Sequence, residues 1–227
     1  MTNFVLVHGA MHGAWCWDRL VPLLESDARV GEVIAVDLPG RGVQRDPRPL
    51  ADITLEDYVE HITHVLTSRD LSDVVLVGHS LAGLTLPPAA HRVEPRLRRV
   101  VYLAAAIPAK GQSVNDLMKH PLSPVSRGIG VDTMFCNDLD AETSEWLLSH
   151  LCEEPPRLLE TIVEIPEAPA SIPSSYILLE RDESLPPEIQ REQARNAAAH
   201  EIVSFDSGHS AFAARPRELA ALLLGFA

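Results

Sequence analysis

The stretch that most limits how this chain can fold runs from Val74 to Gly83, VVLVGHSLAG. Val74, Val75, Leu76 and Val77 form a short apolar run rich in β-branched residues, which suits a strand buried on both faces of a parallel sheet. Gly78 breaks the run, and from Leu81 onward small and apolar residues read as the first turn of a packed helix. Between them sits one hydroxyl, Ser80. This is the strand–turn–helix setting of a nucleophile elbow. So tight a turn forces Ser80 into a strained backbone conformation and requires small neighbours. The helix N-terminus beneath it offers free N–H groups to a developing anion. Ala82 stands where the pattern G-x-S-x-G has its second glycine, and Gly83 follows it. The plainer reading of Ser80, a turn residue or N-cap, loses ground against the rest of the chain.

Other strand-like runs recur at Phe4–Val7, Val33–Val36, Val100–Ala104, Tyr176–Leu179 and Glu201–Phe205. Helical spacing lies between them, at Trp15–Leu24, from Thr54 through Val65, at Pro187–Ala198 and at Pro216–Leu224. Thr54 and Asp57 resemble a capping box at the start of the second of these. The alternation predicts an α/β fold, a mostly parallel sheet of about six strands with helices on both faces. From Ile107-Pro108 to about Ile172 prolines are frequent and strand-like runs are absent. Residues 108–172 are therefore expected to be an inserted cap of short helical pieces, with 1–107 and 173–227 as the core. Met11, Met118, Met134, Phe135 and Trp146 are candidates for a substrate pocket, and packing of the cap on the core is the equal alternative for the cap residues. Residues 41–52, rich in proline and arginine, read as a loop.

Three chemistry-bearing residues each follow a strand, in the order Ser80, Asp182, His209. In a parallel sheet all strand ends lie on one edge, so side chains far apart in sequence converge there. A serine hydroxyl is a poor nucleophile until a base takes its proton. His209 is the candidate base and later the acid for the leaving group. Asp182 is the candidate that fixes the imidazole tautomer. Glu180, Glu183 and Asp206 compete for the acid's role. Glu180 belongs to the strand end, and Asp206 sits at the exit of the last strand. His79 lies inside the elbow with its side chain expected to point away from Ser80, while His8 and His12 read as loop-shaping groups. Asp37 reads as a turn-stabilising carboxylate. The backbone N–H groups of Ala10 and Leu81 are the expected oxyanion donors.

A net charge of −13 argues against nucleic acid and an anionic membrane surface as partners. No apolar run reaches the length of a membrane span. The N-terminus lacks the basic region of a secretory signal. Cys16, Cys136 and Cys152 have no metal-ligand spacing and read as reduced cytoplasmic thiols. His61 and His64 lack a third ligand and read as a solvated helix face. The two glycines after Asp37 lack the rest of a phosphate-loop pattern. Neither a metal nor an organic cofactor is expected.

With FVLVHGAMHGAWCWDRLVPLLE, VVLVGHSLAGL, VVYLAAAIP, YILLERDESLPPEIQREQ and SGHSAF in view, the chain resembles the α/β-hydrolase superfamily. It looks most like the branch of plant methyl esterases, hydroxynitrile lyases and their bacterial relatives. The resemblance implies Ser80, Asp182 and His209 as the triad, Ala10 and Leu81 as oxyanion donors, and His12 and Trp15 as a structural signature. The lyases of this branch carry a threonine and a lysine where this chain has Gly9 and Ser210. With no positive charge there for a departing cyanide, ester hydrolysis is favoured. The expected activity is cleavage of a small or medium-sized carboxylic ester through an acyl-enzyme. The alternatives are a lyase, acyl-transfer or cyclisation step on the same triad, or a ligand receptor on a hydrolase scaffold. The expected partner is a small-molecule ester; monomer and homodimer both stay open.

Overall fold

A computed structural model describes residues 1–41 and 48–227. Six strands form one wholly parallel sheet in the order β2-β1-β3-β4-β5-β6. They are β1 (Thr2–Val7), β2 (Val30–Val36), β3 (Val74–His79), β4 (Leu97–Leu103), β5 (Ser174–Leu179) and β6 (Glu201–Phe205). In β3 and β5 every residue is buried, as expected of inner strands covered on both faces. Alternation along β3 divides the core. Val74 and Leu76 pack on one face with Val59, Ile62 and Ala89. Val75 and Val77 pack on the other with Trp17, Phe212, Leu219 and Leu223.

The helices that supply those faces are α1 (Val21–Glu25), α2 (Leu55–Ser68) and α3 (Leu86–Val93), and, after β5, α9 (Pro187–Asn196), α10 (Ala211–Ala214) and α11 (Pro216–Leu224). Between β4 and β5 lie five short helices: α4 (Val114–Leu117), α5 (Pro124–Arg127), α6 (Val131–Cys136), α7 (Ala141–His150) and α8 (Pro156–Glu160). Helix α2 starts with the capping box read at Thr54: the Asp57 N–H donates to Thr54 Oγ1 at 3.3 Å, and the Thr54 N–H donates to Asp57 Oδ2 at 2.8 Å.

Several boundaries differ from expectation, for local reasons. Trp15–Leu24 is two pieces, a 3₁₀ turn at Ala14–Trp17 and then α1, because Pro22 is accommodated in a first turn and not in a helix interior. The elbow leads first into a 3₁₀ turn, Ser80–Leu84, and α3 begins only at Leu86. A helix running from Leu81 would place Pro87 and Pro88 in its interior, where their missing N–H groups break the ladder. Strand β2 starts at Val30, β4 at Leu97 and β5 at Ser174, each earlier than its apolar run. Of the stretch 41–52 expected as a loop, residues 42–47 lie outside the described residues. Leu50–Asp52 form a 3₁₀ turn, and Arg41 is buried.

Candidate active site

The elbow is built as its sequence requires. Ser80 has φ +52°, the left-handed region that a residue with a Cβ adopts only under constraint. The Ala106 N–H donates to the Ser80 carbonyl at 2.8 Å and ties the turn to the end of β4. Close approach explains the glycines. A Cβ on Gly83 would press into the Ala106 carbonyl, and one on Gly78 would lie 2.5 Å from Leu86 Cδ1. Ala82, by contrast, fits within the buried turn.

His209 Nε2 lies 3.0 Å from Ser80 Oγ, and His209 Nδ1 lies 2.7 Å from Asp182 Oδ2. A carboxylate only accepts, so Nδ1 carries the proton and Nε2 accepts from the serine hydroxyl. The His209 and Asp182 side chains are fully buried. Asp182 is held at both oxygens. Its Oδ1 accepts from the N–H groups of Ser184 (2.7 Å) and Leu185 (2.8 Å), and Oδ2 accepts from Gln190 Nε2 at 3.3 Å. Gln190 is itself pinned to the end of β5, accepting from the Leu179 N–H and donating to the Leu179 and Leu185 carbonyls.

The competing carboxylates lie elsewhere. Glu180 is exposed. Glu183 pairs with Arg127, and Asp206 pairs with Arg181 and Arg215. Asp37 accepts from the Ala14 N–H at 2.7 Å and shapes that turn. His8 donates from Nδ1 to the Gly9 carbonyl at 2.9 Å and accepts the Leu38 N–H at Nε2. His12 donates from Nδ1 to the Ala10 carbonyl at 2.6 Å. Both rings shape the loop after β1. Burial pushes His8 down to about 3 and His12 down to about 4, so both are neutral.

His79, and two carboxylates that the sequence did not single out, Asp138 and Glu154, complete the surroundings. His79 Nε2 donates to the His209 carbonyl at 3.0 Å, and burial drives its pKa well below the ordinary histidine range. Asp138 Oδ2 accepts from the Ser207 hydroxyl at 3.1 Å and the Gly208 N–H at 2.6 Å, fixing the turn just before His209. Glu154 accepts the Met11 N–H at 2.7 Å and pairs with the buried guanidinium of Arg41. Burial raises the Glu154 carboxyl, with Arg41 opposing it. Burial also works against the Arg41 charge, but Glu154, Tyr58 and Cys152 together outweigh it and hold the guanidinium above its ordinary range.

Ser80 opens onto a cavity of about 200 Å³. Ala10 and Leu81 form part of its wall. Apolar side chains from the segment between β4 and β5 form much of the rest, among them Met118, Met134, Phe135 and Leu159. Met11 also lines it. Trp146 is not among the lining residues. Its ring meets Trp15 edge-on at 5.2 Å, and Arg19 lies over its face. Among the described lining residues one side chain is charged, Glu154. Phe135 also stacks on the His209 ring, with centroids 5.6 Å apart. Among the described residues no cluster of three or more His, Cys, Asp or Glu side chains is arranged to hold a metal ion. No described helix is long and apolar enough to cross a membrane.

Comparison with known proteins places these features in a family. The model of the alpha/beta hydrolase family matches residues 4–222. Methylesterase 3 of Arabidopsis thaliana is 30% identical over an alignment covering 99% of this chain and 95% of its own. The carbendazim hydrolyzing esterase of Nocardioides sp. (strain SG-4G) is 38% identical over 55% of this chain and 50% of its own. Among solved structures, a polyneuridine aldehyde esterase mutant superposes with a TM-score of 0.78 at 26% identity, covering all of both chains. An extracellular alpha/beta-hydrolase from a Paenibacillus species superposes with a TM-score of 0.83 at 21% identity, covering 99% of this chain and 98% of its own.

Proposed function

The chain belongs to the alpha/beta hydrolase family and is a carboxylic ester hydrolase, and from that premise we propose that Ser80, His209 and Asp182 are its catalytic triad. The observation that carries the proposal is the unbroken chain of hydrogen bonds from Asp182 through His209 to Ser80 at the wall of an apolar cavity. His209 Nε2 takes the hydroxyl proton as Ser80 Oγ attacks the ester carbonyl. The carbonyl oxygen becomes an oxyanion received by the N–H groups of Ala10 and Leu81. As the tetrahedral intermediate collapses, the C–O bond to the alcohol breaks and His209 returns its proton to the leaving oxygen. Water, deprotonated by His209, then attacks the acyl-enzyme and releases the acid and a free Ser80. Asp182 keeps the proton on Nδ1 throughout and stabilises the imidazolium.

The substrate class follows from the cavity. Its apolar wall favours a small or medium-sized ester with an uncharged, apolar acyl part. The Glu154 carboxylate disfavours an anionic group at the same wall. The five helices of residues 108–172 supply much of this wall, which supports their role as a cap over the site. The three free cysteines support a reducing, cytoplasmic setting.

Methyl and p-nitrophenyl esters of short and medium acids, assayed with wild type and Ser80→Ala, test the proposal. Release of free acid is expected with wild type, and a loss on the order of 10⁴- to 10⁶-fold in kcat with the variant. A transferred or cyclised product without free acid would point to other chemistry on the same triad, and ligand binding with an unreactive Ser80 would point to a receptor.

A further inference from the structure

The loop that carries Ala10 is fastened by groups remote from it in sequence. Met11 has φ +62°, in the left-handed region that disfavours a side chain. Both of its main-chain polar groups are taken by one short segment between α7 and α8. Its N–H donates to Glu154 Oε2 at 2.7 Å, and its carbonyl accepts from the Cys152 N–H at 2.9 Å. The preceding carbonyl, that of Ala10, is held by His12. The peptide joining Ala10 to Met11 is thus fixed at both its oxygen and its hydrogen.

Glu154 is itself set in place. Its carboxylate pairs with Arg41, whose guanidinium also donates to the Glu153 carbonyl and approaches Cys152 Sγ at 2.8 Å. The Arg41 side chain is 0% exposed and that of Glu154 is 10% exposed. A buried ion pair of this kind adds little net stability over an apolar pair of the same volume. Stability is therefore a weak reason for this one. Its placement against the Ala10–Met11 peptide, at the wall of the substrate cavity, offers a better one.

We infer that Glu154, oriented by Arg41, is a positioning residue that aims the Ala10 N–H at the reacting carbonyl oxygen. It acts through Met11, by holding the left-handed turn that an N–H donor at Ala10 requires. The inference rests on the proposed roles of Ser80 and Ala10 and adds to them a control over the rate of the chemical step. Binding of the uncharged ester depends on the apolar wall and is left largely alone. The consequence is a selective loss of kcat when the Met11 N–H loses its acceptor.

Three variants test this in the full chain. Glu154→Asp keeps the charge facing Arg41 and falls one methylene short of the Met11 N–H. Arg41→Met with Glu154→Leu replaces the ion pair by apolar volume. Glu154→Gln keeps an acceptor oxygen. The first two are expected to keep KM within about threefold and to lose about 10- to 100-fold in kcat, with affinity for a trifluoromethyl ketone analogue falling by the same factor. Their thermal midpoints should stay near that of wild type. Glu154→Gln should hold kcat within about fivefold of wild type. A wild-type kcat in folded Glu154→Asp or in the double variant overturns the inference, as does a rise in KM with kcat unchanged. Ser80→Ala run beside them separates the two readings. Persisting hydrolysis there removes the mechanism itself, whereas an inactive Ser80→Ala with unimpaired Glu154 variants removes only this inference.

Discussion

Gly9 and Ser80 approach so closely that a Cβ on Gly9 would lie 2.7 Å from Ser80 Cβ and 3.0 Å from His79 Nδ1. The loop after β1 and the elbow after β3 are neighbours because their strands are paired, Val7 opposite Gly78. The absence of a side chain at Gly9 therefore sets the gap between Ser80, the proposed nucleophile, and the Ala10 N–H.

Gly9→Ala should push that loop away from Ser80 and displace the donor. The expected effect is a fall in kcat of about 10- to 100-fold, read by steady-state kinetics on a p-nitrophenyl ester. Far-ultraviolet circular dichroism should be unchanged.

Two adjacent small residues of the elbow, Ala82 and Gly83, should both tolerate exchange poorly in stability, Gly83 more so. Ala82→Gly removes a methyl group from a site that accommodates it, and should keep kcat within about threefold while costing about 1 kcal/mol of stability. Gly83→Ala drives a methyl group into the Ala106 carbonyl, and should cost about 1–3 kcal/mol. Urea denaturation of the two variants measures both.

Asp182→Asn should reverse the imidazole tautomer. The side-chain oxygen of the amide will face the N–H groups of Ser184 and Leu185, which need an acceptor. Its NH₂ then faces His209 Nδ1, which must give up its proton, leaving Nε2 protonated toward Ser80. A loss of about 10⁴-fold in kcat is expected, with KM little changed.

Stability should fall as the solution is acidified. His8, His12 and His79 are buried neutral, with pKa values depressed by burial to about 3 for His8, about 4 for His12 and well below the ordinary range for His79. In the unfolded chain they titrate near 6.5. Below that pH the unfolded state binds protons that the folded state refuses. Their contribution is therefore complete above about pH 6.5 and is lost as the pH falls toward the folded values. Each ring contributes a slope that grows from about 0.7 kcal/mol per pH unit at about pH 6.5 toward about 1.4 a unit or so below it. Urea denaturation from pH 7 to pH 5 should show a steep decline, and His12→Phe should flatten it.

The sheet was legible because β-branched runs end in glycine or in a polar residue, and each end marks the edge where Ser80, Asp182 and His209 stand. The polar groups that support them were not. Glu154 acts on Met11 from 143 positions away, and Asp138 on Gly208 from 70, distances that no local pattern encodes. Gln190 and Gln193 carried a faint signal, two amides three apart on the buried face of α9 with Ile189 and Ala194. For Trp146 the sequence left pocket lining and packing of the cap on the core as equal alternatives, for a related reason. A tryptophan on a short helix announces burial, but which partner it meets depends on how that helix docks, here on Trp15 and Arg19.

The central claim is that the Ser80 hydroxyl is the group activated by His209. A phosphonate ester that forms a stable bond with an activated serine tests it most directly, with the modified residue located by peptide mass mapping. The account predicts one label per chain, on the peptide carrying Ser80, and no label when His209 is replaced by alanine in a folded variant. Labelling at another residue, or undiminished labelling of Ser80 without the imidazole, would contradict it.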